Sequence, residues 1–182
     1  KGKVVFNGDV EDAINLYLKN DEITAKLYYD CANSHNFNFL TNKVIMDSLE
    51  ILGKDNCQFK DDEKIRFRLK FHCNEDVEKL SFRTLVHNND QMIVATSLCY
   101  NFMSCKKGES YSRVFTMDVH TLSNGFYKVI PVMFELDELG NVIDADGVYP
   151  GLLFEYEHTT PILWRTKLYG DTVLPDMMCE EN

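Results

Sequence analysis

From Lys43 onward, apolar and polar residues alternate with a period of two. The clearest stretch is 64–73, where Ile65, Phe67, Leu69, Phe71 and Cys73 fall on one face and Lys64, Arg66, Arg68, Lys70 and His72 on the other. Successive side chains of an extended chain point to opposite sides, so this alternation is that of a half-buried strand. The same rhythm predicts strands over 80–87 and 92–100, joined by Asn88-Asn89-Asp90, residue types that tolerate the left-handed backbone of a hairpin turn. Further strands are predicted over 110–119, 126–136, 142–144 and 152–157. In the first of these, Tyr111, Arg113, Phe115 and Met117 share one face, which the two apolar members mark as the core side. A run of short antiparallel strands with no helix between them predicts an all-β sandwich and excludes a parallel α/β layer fold. Pro131 cannot donate to a ladder, which places its strand at an edge or a bulge.

The first part of the chain follows another rhythm. Residues 3–6 form a short strand pattern closed by Asn7-Gly8, and Asp9 is then placed to cap a helix. Val10, Ala13, Ile14 and Tyr17 recur at helical spacing. Residues 1–20 therefore read as strand, turn and amphipathic helix. Residues 21–42 lack a sustained period, although 21–29 can extend the helix, and the Asn-rich stretch 33–38 reads as a linker. The expected organisation is a strand-helix remnant over 1–20, a linker over 21–42, a sandwich over 43–166 and a tail or donated strand over 167–182. Because the chain opens at Lys1 directly on a strand pattern, it is expected to be a piece of a longer protein.

Composition narrows the chemistry. The 182 residues carry 29 acidic and 19 basic side chains, a net charge of -10, so the clustered cations that a nucleic-acid backbone requires are lacking. Nucleic acid is excluded as an expected partner. The six cysteines form no C-x-x-C pair, and with no signal-like stretch, apolar span or N-x-[ST] acceptor, the reading is a cytosolic one. No metal and no catalytic residue are expected. Asp144-Ala145-Asp146-Gly147 matches part of a calcium loop, but Val142 and Leu153 occupy positions that need oxygen ligands. The five histidines show no ligand spacing, and neither a G-x-S-x-G elbow nor a phosphate-cradling G-x-x-x-x-G-K-[ST] occurs.

Two stretches carry a resemblance. Residues 2–17, from Gly2-Lys3-Val4-Val5 through the Gly8 turn to Glu11-Asp12-Ala13-Ile14 and Tyr17, resemble the end of the nucleotide-binding domain in polysaccharide-exporting ABC transporter ATPases. Residues 59–71, 80–96, Gly125-Phe126-Tyr127 and 144–154 with Gly151-Leu152-Leu153-Phe154 are similar to the C-terminal carbohydrate-binding domain of Wzt-type O-antigen exporters. The resemblance implies an immunoglobulin-like sandwich that forms a homodimer, in some members by strand exchange, and recognises a polysaccharide such as an O-antigen or teichoic acid. It implies work in the cytoplasm at the inner face of the membrane, beside a permease subunit. No cofactor is expected in this chain, with ATP and Mg expected for the absent ATPase domain. A module that only dimerises or contacts the permease is the alternative.

A sugar site needs an aromatic plate and fixed hydrogen-bonding groups around it. Strand phase offers Arg66 and Arg68 on one polar face with Arg83 on a neighbouring strand, Tyr111 with Arg113, and the single tryptophan, Trp164, after the last strand. These six are the expected carbohydrate-binding residues, each set against the plainer role of a solvated strand face, a core plug or an interface anchor.

Overall fold

The computed structural model describes residues 26–35, 37, 39–160, 162–175 and 177. Its strands are β1 (Tyr28–Asp30), β2 (Val44–Ile51), β3 (Gln58–Lys60), β4 (Ile65–Cys73), β5 (Val77–His87), β6 (Ile93–Cys105), β7 (Ser110–Met117), β8 (Gly125–Leu136), β9 (Val142–Gly147) and β10 (Leu152–Glu157), followed by a helical turn, α1 (Thr166–Tyr169). They form two sheets, ordered β1-β2-β4-β7 and β3-β10-β8-β5-β6, with β9 added beside β8. The all-β sandwich predicted from the alternation is the fold of the chain. The strand-helix expected over 1–20 lies outside the described residues.

Two short strands depart from expectation. β1 falls within the segment read as a linker, yet it pairs antiparallel with β2, Tyr29 opposite Leu49. β3 runs parallel to β10, Phe59 opposite Tyr156, so the larger sheet is mixed. A strand of three residues is too short to display a period, and both owe their conformation to the neighbour they pair with.

The alternation of β4 becomes the inner face of the smaller sheet, with Ile65, Phe67, Leu69, Phe71 and Cys73 all buried. The rings of Phe67 and Phe82 bridge the two sheets at 6.0 Å, and Phe115 lies 4.5 Å from Phe82 and 5.8 Å from Phe67. The five described cysteines are free. Burial pushes the Cys31 thiol up to about 12, which keeps it protonated and inert at neutral pH.

Of the two alternatives drawn from Pro131, strand β8 overturns the edge, and a register shift against β9 falls two residues on, between Met133 and Phe134. It is an interior strand, pairing with β5 along one flank and with β10 and then β9 along the other. Pro131 sits where the second flank changes hands: Val129 pairs with Leu152 of β10, and Val132 with Gly147 of β9. The Pro131 carbonyl accepts the Val148 N–H at 3.2 Å, so its nitrogen also faces the junction, where the missing proton breaks no ladder bond with β5. The chain passes so close here that a Cβ on Gly151 would stand 1.9 Å from the Val129 oxygen and 2.7 Å from Pro131 Cδ.

A buried carboxylate ties the sheets together. Asp146 of β9 is fully buried; one oxygen accepts the Met46 N–H of β2 at 2.6 Å, and the other accepts the Gly147 N–H and lies 2.8 Å from His35 Nδ1. Backbone bonds from Thr41 to Asp144 and from Asn42 to Ala145 close the same corner. At the C-terminal end, Thr172 bridges Leu122, and Val173 N–H donates to the Thr121 carbonyl at 2.7 Å. The described part of the expected tail thus lies along its own chain.

Gly151→Ala is expected to destabilise the domain by about 3 kcal/mol, the upper range for overpacking against backbone, as read by urea denaturation. Asp61 and Asp146 are expected to titrate on opposite sides of the ordinary aspartate value of about 3.9. Hydrogen bonds from Thr159, then from His158, hold Asp61 low, so its contribution to stability is complete above the unfolded value and lost as pH falls through the folded one. Burial raises Asp146, so its contribution weakens as pH rises from the unfolded value through the folded one. Carboxyl carbon chemical shifts followed against pH check both, and an Asp146 midpoint below the ordinary value contradicts the assignment.

Candidate functional site

The outer face of the larger sheet is set by the register of β8. Gln58, Glu155 and Phe126 stand side by side across β3, β10 and β8, and Leu153, Lys128 and His87 form the next row across β10, β8 and β5. At this end the sheet borders a groove of about 920 Å³. The β2–β3 loop with Asp55 and Asn56 closes one end, the β5–β6 turn with Asn88, Asn89 and Gln91 the other, and residues 26–28 line a side.

The lining is rich in amides already locked in place. Asn56 accepts the Gln58 N–H at 3.0 Å and donates to Asp55, while the Gln58 side chain donates to Glu155 at 2.8 Å. Asn88 accepts the Met92 N–H and donates to Asp171 at 3.1 Å. A carboxamide has two donor hydrogens and two acceptor lone pairs, so these bonds orient each group and leave capacity for a ligand. Gln91, at φ 61, adopts the left-handed backbone that its turn demands. Its side-chain oxygen accepts from Lys128 Nζ at 3.1 Å and from the Tyr149 hydroxyl at 3.2 Å. Lys128 also donates to the Tyr149 oxygen at 3.2 Å and lies 4.8 Å from the centre of its ring. The arrangement offers fixed donors and acceptors, aromatic surface from Phe126 and Tyr28, and the ammonium of a buried lysine. Among the described residues no group of three or more His, Cys, Asp or Glu side chains is placed to hold a metal ion.

No family model matches the chain, and no curated protein matches its sequence. A solved structure titled "Crystal structure of the C-terminal domain of wzt" superposes with a TM-score of 0.59 over 77% of this chain and 85% of that one, at 12% identity. The fold is that of the Wzt C-terminal domain. At this identity the likeness extends to the arrangement of strands, the sandwich fold that the resemblance implied.

Within the Wzt-type sandwich, the six residues expected from strand phase are dispersed. Arg66 and Arg68 lie on the outer face of the smaller sheet, where Arg68 pairs with Glu50 at 2.5 Å. Arg83 does not stand on a strand beside them: β4 is flanked by β2 and β7, and β5 belongs to the other sheet. There Arg83 pairs with Asp144 at 2.8 Å and covers the Phe134 ring at 5.2 Å. Tyr111 faces the core, stacked on Phe71 at 5.5 Å, and its hydroxyl donates to Glu109, which raises its pKa. Arg113 is exposed, with its guanidinium 5.9 Å from the Tyr111 ring centre. Trp164 donates its indole N–H to the Gly170 carbonyl at 2.8 Å and packs on Tyr169, anchoring the helical turn α1.

The groove residues Asn56, Gln58, Gln91 and Lys128, and Tyr149 that contacts Lys128, were not anticipated from the alternation. Two signals point to them in hindsight: amides concentrated in the turns at 55–58 and 88–91, and a single charge at Lys128 inside the apolar run 126–134.

Proposed function

We propose that this domain binds a cell-surface polysaccharide as the substrate-recognition part of an ABC exporter's ATP-binding subunit. The observation that carries the reading is the groove on the outer face of the larger sheet, with its braced amides beside aromatic surface, on a sandwich of the Wzt type. Hydroxyl-rich sugars present hydrogen-bonding groups and apolar C–H faces together, and such a lining matches both. In this reading the domain is not catalytic. It selects the glycan, because a wrong sugar leaves the groove's polar groups unpaired, and ATP with its Mg is handled by a separate ATPase domain of the subunit. The domain then works as a homodimer in the cytoplasm, at the inner face of the membrane beside the permease. Among the described residues no helix is long and apolar enough to cross a membrane.

A second reading, a dimerisation or permease-contacting module without glycan binding, draws on the edge strand β6, where Ile93, Leu98 and Tyr100 are about half exposed or more, at 57%, 48% and 56%. Calorimetry of the purified chain with the surface polysaccharide of the producing organism separates the two. Binding is expected, and Gln58→Ala is expected to weaken it by about five- to tenfold, the worth of one well-placed hydrogen bond. Self-association with no heat of glycan binding favours the second reading instead.

A further inference from the structure

We infer that the glycan taken by the groove is acidic, and that a carboxylate or phosphate on it seats against Lys128; this rests on the glycan-binding reading above. Two charged side chains are buried among the described residues, Asp146 and Lys128. Asp146 has two backbone N–H groups and the His35 Nδ1 within reach of its two oxygens. Lys128, at 8% exposure, has no carboxylate partner among the described residues. Its ammonium has three protons, and the two protein acceptors it meets, the Gln91 amide oxygen and the Tyr149 hydroxyl, are both neutral. Other partly buried cations are neutralised: Arg83 by Asp144 and Lys43 by Glu135.

A charge removed from water without a counter-charge is held at a cost unless something else compensates it. The compensating group here is supplied by the ligand. Gln91 and Tyr149 aim the ammonium without neutralising it, and the groove that Lys128 lines is open to the partner that would. A neutral sugar would leave both the third proton and the net charge unanswered. Uronate carboxylates and phosphodiesters share the chemistry the site requires, a compact anion with several acceptor oxygens.

The test compares the full chain with Lys128→Met and Lys128→Arg on a calorimetric panel of neutral, uronate-bearing and phosphodiester-bearing bacterial oligosaccharides. Wild type is expected to bind one acidic class about tenfold or more tighter than the neutral one. Lys128→Met should remove that preference, and Lys128→Arg should keep most of it. Which acidic class wins distinguishes carboxylate from phosphate. Equal or tighter binding of neutral sugars, unaffected by Lys128→Met, overturns the acidic assignment while the glycan reading stands. Absence of binding to every member overturns the glycan reading itself. A second measurement needs no ligand: without glycan, Lys128→Met is expected to unfold at a urea concentration equal to or above that of wild type, because it removes an uncompensated charge. A lower midpoint would show that the protein satisfies Lys128 by itself, and would sink the proposal.

Discussion

Strand β8 has neighbours along both flanks and buried side chains on both faces, and the rest of the sandwich is arranged around that constraint. Tyr127, Val129 and Met133 point into the core between the sheets, while Lys128, Ile130, Val132 and Phe134 point to the outer side and are buried as well. A strand enclosed in this way has no solvent-facing side to relieve a misfit. The flank must pass from β10 to β9 where Pro131 has no proton to give, and Gly151 is needed so that the chain can pass close by. The registers of β10, β9 and β5 are all set against this one strand, and with them the rows of side chains that border the groove.

The two buried charges show how the same physics serves different ends. Asp146 is held by His35, Met46 and Gly147, and it joins β9 of one sheet to β2 of the other. Buried polar groups paired within the protein act as structure. Among the described residues Lys128 is held by neutral oxygens, at the wall of a groove, and its position follows from the register that Asp146 and the Pro131 junction help to maintain. Losing the bonds that Asp146 accepts would loosen the join between the sheets, whereas Lys128 is a place where the fold keeps a charge in reserve for something else.

Most of the sandwich was legible in the chain because long amphipathic strands carry their own period. The run Ile65–Cys73 shows this best, since one face of it is wholly apolar. The strands β1 and β3 were not legible, because three residues show no period and their pairing is decided by distant partners. Pro131 misled for a related reason: a residue without a donor signals a missing ladder bond, and only the tertiary arrangement reveals that an interior strand can lack one where its neighbours change. Phase assigned Arg66, Arg68 and Arg83 to polar faces correctly, but it carries no information about which sheet a strand joins, so Arg83 was grouped with residues on the opposite side of the molecule. The groove is assembled from turns far apart in sequence, 55–58 and 88–91, and from the outer side of β8, which its apolar composition disguised as core.

The claim on which the functional account turns is the location of the binding face. It is tested most directly by mapping amide and side-chain chemical shifts of the isotopically labelled domain on addition of a bound oligosaccharide. The changes are expected to centre on Gln58, Gln91 and the Lys128 ammonium, with Arg66 and Arg68 unmoved. Shifts confined to the outer face of the smaller sheet, around Arg66, Arg68 and Lys70, would contradict it.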